Sequence, residues 1–305
     1  MINEIDKKLL KTVANNYTFK GAYNIRKNGK ALERKTTSNI NIIPKKDVSG
    51  IDIKIKPNTK NETVHIPVII TESGVNDVVY NDFYVGENAD VTIIAGCGIH
   101  NDNRHDSIHN GIHRFFLEKG AKVKYIEKHY GEGDGLGKRI LNPVTEVTLK
   151  EESMLEMETL QIKGVDSTVR TTKGIVGNNA NLVITERILT HGKQKAKTIF
   201  DVKLNGKNAS TKVASRSVAT ENSKQEFISK VYGNGECFGH VECDAIVKDK
   251  AKITSTPKII ANSVEATLIH EAIIGKIAGE QLIKLMTLGL SKEKAEETII
   301  NGFLK

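Results

Sequence analysis

Three residue types that ligate metals lie close together late in the chain. Cys243 sits in Val241-Glu242-Cys243-Asp244-Ala245-Ile246-Val247, and His270-Glu271 follows Ser263-Val264-Glu265-Ala266-Thr267-Leu268. Both segments alternate polar and apolar residues, which is the period of a strand. A helical pattern begins after His270-Glu271, so a thiol, an imidazole and a carboxylate are expected near one strand-to-helix boundary. All three are metal-ligand types. If Val241, Cys243, Ala245 and Val247 share one face, the thiol points with apolar residues and, taken alone, reads as a core cysteine. The short separation of the two segments permits them to be adjacent turns, which would set His270-Glu271 beside it.

A second constellation runs from Gly96 to Arg114 and holds Cys97, His100, His105, His109 and His113. His105, His109 and His113 are four apart, so a strand or a helix would put them on one face. Histidine tracts at such spacing bind metal; the alternative is a polar strand edge whose imidazoles bond to backbone carbonyls. Lys128 to Gly137 is glycine-rich and has the composition of a phosphate cradle. No strand–GxGxxG–helix unit surrounds it, so a dinucleotide site is unsupported and a turn at a rim is the plainer reading.

These residues must be positioned by a largely β framework. Ile5, Leu9, Leu10 and Val13 have helical spacing, and Asn28-Gly29 between two short alternating runs predicts a hairpin. From Ile40 onward strand-like segments follow one another. A weak repeat then sets in, built on a small residue followed by alternating apolar residues. It recurs at Ala89, Ala121, Ser153, Ala180, Ala209 and Ala251, at intervals of 32, 32, 27, 29 and 42 residues. A turn and a strand at such intervals predict stacked coils. The fold expected is mainly β, a right-handed parallel β-helix.

Three parts are expected: a helix and hairpin over 1–38, the β-helix over 39–270, and a helical segment over 271–305. In the last, Ile277, Leu282, Leu285 and Met286 form one apolar stripe, Gly289 fits a helix stop, and Ser291 fits the next N-cap. Ala295, Ile299, Ile300 and Phe303 give the second helix its own apolar face. Such helices would serve to cap the solenoid.

Composition excludes several classes. No apolar run is long enough to span a membrane, and the acid-containing N-terminus has no secretory pattern. Three cysteines, an odd number, fit a reduced, cytoplasmic protein. The net charge of +8 comes from lysines interspersed with acids, and seven Tyr, eight Phe and no Trp offer few stacking platforms, so no nucleic-acid partner is expected.

STPKIIANSVEATLIHEAIIGKIAGEQL, followed by LGLSKEKAEETIINGFL, resembles the C-terminal core of the SufB/SufD family of iron–sulfur cluster assembly scaffolds. The most specific parts are His270-Glu271-Ala272, Gly275-Lys276-Ile277, Glu280-Gln281-Leu282 and Gly302-Phe303-Leu304. The similarity runs from about Val85 to the end and is closest to SufB, in a short form. It implies the same β-helix architecture and matches Cys243, His270 and Glu271 to cluster-ligand positions. Cys97 matches a cysteine implied in sulfur relay or scaffold integrity. The resemblance also implies an ABC-type ATPase partner, SufC, docked on the C-terminal helices, a cysteine-desulfurase sulfur donor and apoprotein acceptors. No Walker A pattern occurs, so ATP hydrolysis would be a partner's work.

The function expected is a non-catalytic scaffold for a transient iron–sulfur cluster. Cys237-x5-Cys243 has no ferredoxin-type spacing, so a four-thiolate electron carrier is not expected. Mixed thiolate, imidazole and carboxylate ligands suit a cluster that is built and passed on. With only about eighty residues before the repeat, a homodimer is expected rather than pairing with a paralogue. A flavin finds no support in the sequence. The alternatives are a structural β-solenoid interaction module and a carbohydrate-active β-helix; the latter needs aromatic platforms and paired carboxylates, against 5% aromatic residues here.

Overall fold

The computed structural model describes residues 2–305. The chain opens with α1 (Glu4–Ala14), the hairpin β1 (Ala22–Lys27) and β2 (Lys30–Lys35), then β3 (Ile40–Pro44) and β4 (Gly50–Ile55). It winds on through β5 (Lys60–Ile70), β6 (Asn76–Val85), β7 (Asp90–His100), β8 (Ser107–Leu117), β9 (Lys122–Glu132), the short β10 (Arg139–Leu141) and β11 (Val144–Leu149). Next come β12 (Met154–Lys163), β13 (Ser167–Val176), β14 (Asn181–Thr190), β15 (Lys195–Leu204) and β16 (Ala209–Ala219). The last coils are β17 (Lys224–Gly233), β18 (Cys237–Val247), β19 (Lys252–Ala261) and β20 (Ala266–Gly275), followed by α2 (Gly279–Thr287) and α3 (Lys292–Phe303).

From β5 to β20 successive strands fall alternately into two sheets, except that β10 and β11 lie in the same one. β5, β7, β9, β12, β14, β16, β18 and β20 stack in parallel as sheet A, and β4, β6, β8, β10 with β11, β13, β15, β17 and β19 as sheet B. Apart from the β10–β11 coil, each coil gives one strand to each sheet, so the molecule is a β-solenoid of about eight turns. The expected hairpin forms at Asn28 and Gly29, both with positive φ, and β1 joins sheet A beside β5.

The repeat has a physical origin at one corner. A residue with positive φ (Asn88, Gly120, Glu152, Asn179, Asn208) turns the chain, and the next residue (Ala89, Ala121, Ser153, Ala180, Ala209) is buried. The 42-residue interval to Ala251 is a change of corner. In register after Ala209 come Cys237 and Ala266 on sheet A, whereas Ala251 precedes β19 on sheet B. Stacked amides brace the coils: Asn234 donates to Asn205 (2.6 Å) and Asn262 to Asn234 (2.7 Å).

Apolar rows from the two sheets fill the interior. Phe83 and Phe115 stack with centroids 4.4 Å apart, and Tyr125 packs edge-on against Phe115 at 5.0 Å. Each such fully buried side chain is worth roughly 1.5–3 kcal/mol. α1 lies on the outer face of sheet A. A side chain at Gly96 would come within 2.9 Å of Val13, and one at Gly98 within 3.1 Å of Leu9, so the two glycines make the helix's bed.

The C-terminal end departs from expectation in two ways. β20 runs through His270-Glu271 to Gly275, so these residues lie in mid-strand and the helix starts only at Gly279. Ile273 and Ile274 sustain a strand, where β-branched side chains fit well. The helices also leave the end uncovered: Val264 and Ile273 are 104% and 71% exposed. α2 and α3 pack on each other, and α3 is tied to the solenoid by Lys248–Glu296 (2.5 Å). Ser291 caps α3 and Gly289 takes positive φ, as the sequence predicts. Among the described residues no helix is long and apolar enough to cross a membrane.

Candidate functional site at the end of the solenoid

Cys243 lies in the middle of β18, between Ser215 of β16 and Ala272 of β20 in register. Strand alternation turns Val241, Cys243 and Ala245 inward, and Cys243 is only 1% exposed. Burial pushes its thiol up to about 11. The Ser255 hydroxyl of β19, close to the thiol but outside hydrogen-bond geometry, pulls the other way. In this state the sulfur is a protonated, shielded thiol, and a ligand role requires a metal to displace its proton, which is released to solvent.

His270 stands opposite Val241, and Ala272 opposite Cys243. His270 therefore shares the inner face with Cys243, one diagonal step away on the neighbouring strand. Its Nε2 is buried without a hydrogen-bond partner, and burial, then the charge of His240, lowers its pKa. Glu271 goes the other way. It stands opposite Glu242 on the outer face, exposed, with its carboxylate 3.6 Å from His240 Nε2. Burial and the neighbouring Glu242 raise the carboxyl of Asp244 on the same outer face. Two of the three sequence-predicted ligands are thus brought to one face, and the third to the opposite one. Among the described residues no three His, Cys, Asp or Glu side chains of one chain converge as a metal site.

The histidine tract divides in the same manner. His105 is exposed in the loop before β8, whereas His109 and His113 point inward from β8 and are buried. His109 Nδ1 is 3.0 Å from Asp77, and His113 Nδ1 is 3.1 Å from the Tyr125 hydroxyl. Their Nε2 atoms overhang Gly111, where a side chain would meet that of His113 at 2.9 Å and that of His109 at 3.3 Å. Cys97, 1% exposed, lines the same cavity of about 10 Å³, which has room for one water-sized species. Burial, then Asp77 and Glu127, raises the Cys97 thiol well above its usual range.

Beside that cavity lies a charged network that motif reading missed. Arg170 bonds Glu127 and reaches Glu186 (3.7 Å) and His129 (3.2 Å), all of them buried. Burial opposes ionisation of Glu127, but Arg170 and His129 hold its carboxyl well below the usual range. Glu186 is raised, because burial there outweighs Arg170. Burial lowers His113 to about 4 and lowers His129 as well. The available signal was parity: Val123, Tyr125, Glu127 and His129 occupy every second position of β9, so the polar pair had to follow the apolar pair inward.

Comparison with known proteins matches residues 70–303 to the SUF-system iron–sulfur cluster assembly SufBD core domain. An iron–sulfur cluster assembly SufBD family protein of Methanocaldococcus jannaschii is 29% identical over 243 residues, covering 79% of this chain and 76% of that protein. A SufBD family protein of Methanothermobacter thermautotrophicus is 27% identical over 85% of this chain and 63% of its own length. Bacillus subtilis SufB is 24% identical over 72% of this chain and 47% of its own length. The domain match spans most of the chain, which belongs to the SufBD family of iron–sulfur cluster assembly proteins.

Proposed function

We propose that the chain is a scaffold on which iron–sulfur clusters are assembled and from which they are transferred. The observation that carries this is Cys243 and His270 sharing the inner face beside the uncovered end of the solenoid. Thiolate is the soft ligand that iron–sulfur clusters prefer, while imidazole and carboxylate exchange more readily. The cluster is cargo, and the chain itself turns over no substrate.

Glu271, on the outer face, cannot join that thiol within one chain, so a second copy completes the ligand set. The exposed Ile269, Ile273 and Val264, and the free edges of β19 and β20, support a homodimer joined there. Ile283, Met286 and Leu288 stand exposed on and just after α2, a surface suited to a SufC-like ATPase that supplies the hydrolysis. The setting is cytoplasmic, with a cysteine desulfurase donating sulfur and apoproteins accepting the cluster; Cys97, sealed inside the solenoid, suits scaffold integrity better than sulfur relay.

Anaerobic reconstitution with iron and sulfide tests the proposal through visible absorption and bound iron. Colour and iron are expected with the wild type and not with Cys243→Ser. Equal uptake by both proteins would move the site elsewhere, with Cys97 next in line. The buried, protonated state of Cys243 favours the rival reading of a plain structural solenoid, and absence of uptake by the wild type with its ATPase present would establish that rival.

A further inference from the structure

The solenoid surface follows an electrostatic pattern in which a lysine on one coil faces a glutamate on the next. Lys119–Glu151, Lys150–Glu118, Lys197–Glu226 and Lys207–Glu236 lie 2.9, 2.6, 2.9 and 3.3 Å apart. One row on the outer face of sheet B breaks the pattern. Lys195, Lys224 and Lys252 stack in register across β15, β17 and β19. Neighbouring strands are about 4.8 Å apart, and like charges directly opposite destabilise a sheet. Among the described residues none of the three has a carboxylate within 4.0 Å.

At its Lys195 end this ladder opens into a groove of about 640 Å³ that also holds Lys138, Lys163 and Lys193, again without carboxylate partners. Two of the groove's acids are already committed: Glu132 to Lys8 (2.5 Å) and Asp166 to Arg139 (2.8 Å). Asp134 is the third and is exposed. The walls include the backbone of Gly131 and Gly164, which approach so closely that a side chain on either would collide with the other's carbonyl. The groove therefore combines uncompensated positive charge with the volume of a small-molecule site.

We infer that this groove binds a small anion carrying at least two phosphate groups. Lysine is a compact point charge that suits phosphate, whereas carboxylate recognition favours the planar fork of arginine, and the only arginine here is paired. Tyr130 is the one aromatic side chain other than His191 in the lining, so the phosphates carry most of the affinity.

Calorimetric titration of the full chain with inorganic pyrophosphate and with ADP, at low and high salt, tests this. Pyrophosphate binds the wild type at low salt and weakens as salt rises. Lys163→Gln/Lys193→Gln loses about tenfold in affinity per lysine, and Lys195→Gln/Lys224→Gln loses affinity while its thermal melt stays unchanged or rises. Lys54→Gln, on β4 several coils away and outside the groove, binds as the wild type does. Equal affinities for the two ligands mean that phosphate alone is read, and a tighter ADP means that a nucleoside is read as well. Failure of pyrophosphate to bind at low salt overturns the inference, as does an equal loss in Lys54→Gln. Displacement of pyrophosphate by polyglutamate at lower concentration also overturns it, because the groove would then be a peptide-docking surface.

Discussion

Cys243 stands opposite Ala272 and His270 opposite Val241, so thiol and imidazole share the inner face while Glu271 stands opposite Glu242 outside. A one-residue step along β20 separates two chemically distinct surfaces. The inner one is shielded and apolar, which raises the thiol to about 11. Alkylation of native protein at pH 8 is therefore expected to label Cys243 many times more slowly than in urea. Time-resolved mass spectrometry of iodoacetamide adducts reads this, and labelling at the unfolded rate would sink it.

The same shift couples to stability. The folded thiol's pKa lies above its ordinary value near 9, so its contribution is complete below that value. It is lost as pH rises through about 9 towards 11, by up to ~3 kcal/mol. Cys243→Ala should flatten the alkaline limb of a urea-stability profile between those values, and an unchanged limb would refute the assignment.

At the acid end His113 has the opposite linkage. Burial holds its pKa at about 4, below its ordinary 6.5, so between those values the unfolded chain binds the extra proton. The stabilising effect of a neutral buried imidazole is full above 6.5 and is lost as pH falls towards 4, by roughly 3 kcal/mol. His113→Gln, which can still bond the Tyr125 hydroxyl, should shrink the stability difference between pH 7 and pH 4.5. His129, lowered by burial too, leaves a residual slope in that variant.

Much of this architecture is legible in the chain because strand parity and corner chemistry are local. Asn28-Gly29 specifies its own turn, and the buried small residues from Ala89 to Ala209 mark successive coils. Ala251 misled because a two-sheet coil has two similar corners, and sequence spacing alone does not say which corner a small residue occupies. Cys237 filled the true position unseen, as a small hydrophobe where alanine was expected. His105 illustrates a second limit. Four-residue spacing puts side chains on one face only while the strand lasts, and β8 begins at Ser107. The division between Cys243 and Glu271 rests on pairing of segments far apart in sequence, which no local pattern encodes.

Arg170 tests the energetics of the interior. It is 3% exposed, bonds Glu127 and lies 3.7 Å from Glu186. Arg170→Met leaves Glu127 buried without its main counter-charge, and removal of one partner from such a pair costs about 3–5 kcal/mol. Adding Glu127→Gln should restore most of that loss, since an uncharged amide needs no counter-ion. Urea denaturation at pH 7.5 measures both. If the double variant is no more stable than Arg170→Met, the cost lies in lost packing and not in stranded charge.

Gly96 tests how α1 is held. A β-carbon there would lie 2.6 Å from the Lys128 carbonyl oxygen and 2.9 Å from Val13 Cβ. Pairing with β7 holds the backbone of β9, so the Lys128 contact stays as strain in the sheet, while the Val13 contact is relieved only if the helix moves. Gly96→Ala should cost about 1–3 kcal/mol, in the range of overpacked cores, and should loosen α1. Leu9, Leu10 and Val13, fully buried in the native fold, would then become accessible. Limited trypsin digestion reads the change at Lys8 and Lys11, with cleavage at those sites several-fold faster than in the wild type. Faster cleavage throughout the solenoid would instead mean global destabilisation. Unchanged cleavage at Lys8 and Lys11 would mean that the helix is held by its polar ties, Lys8–Glu132 at 2.5 Å and Lys27–Asp6 at 2.7 Å, rather than by its fit to the glycines.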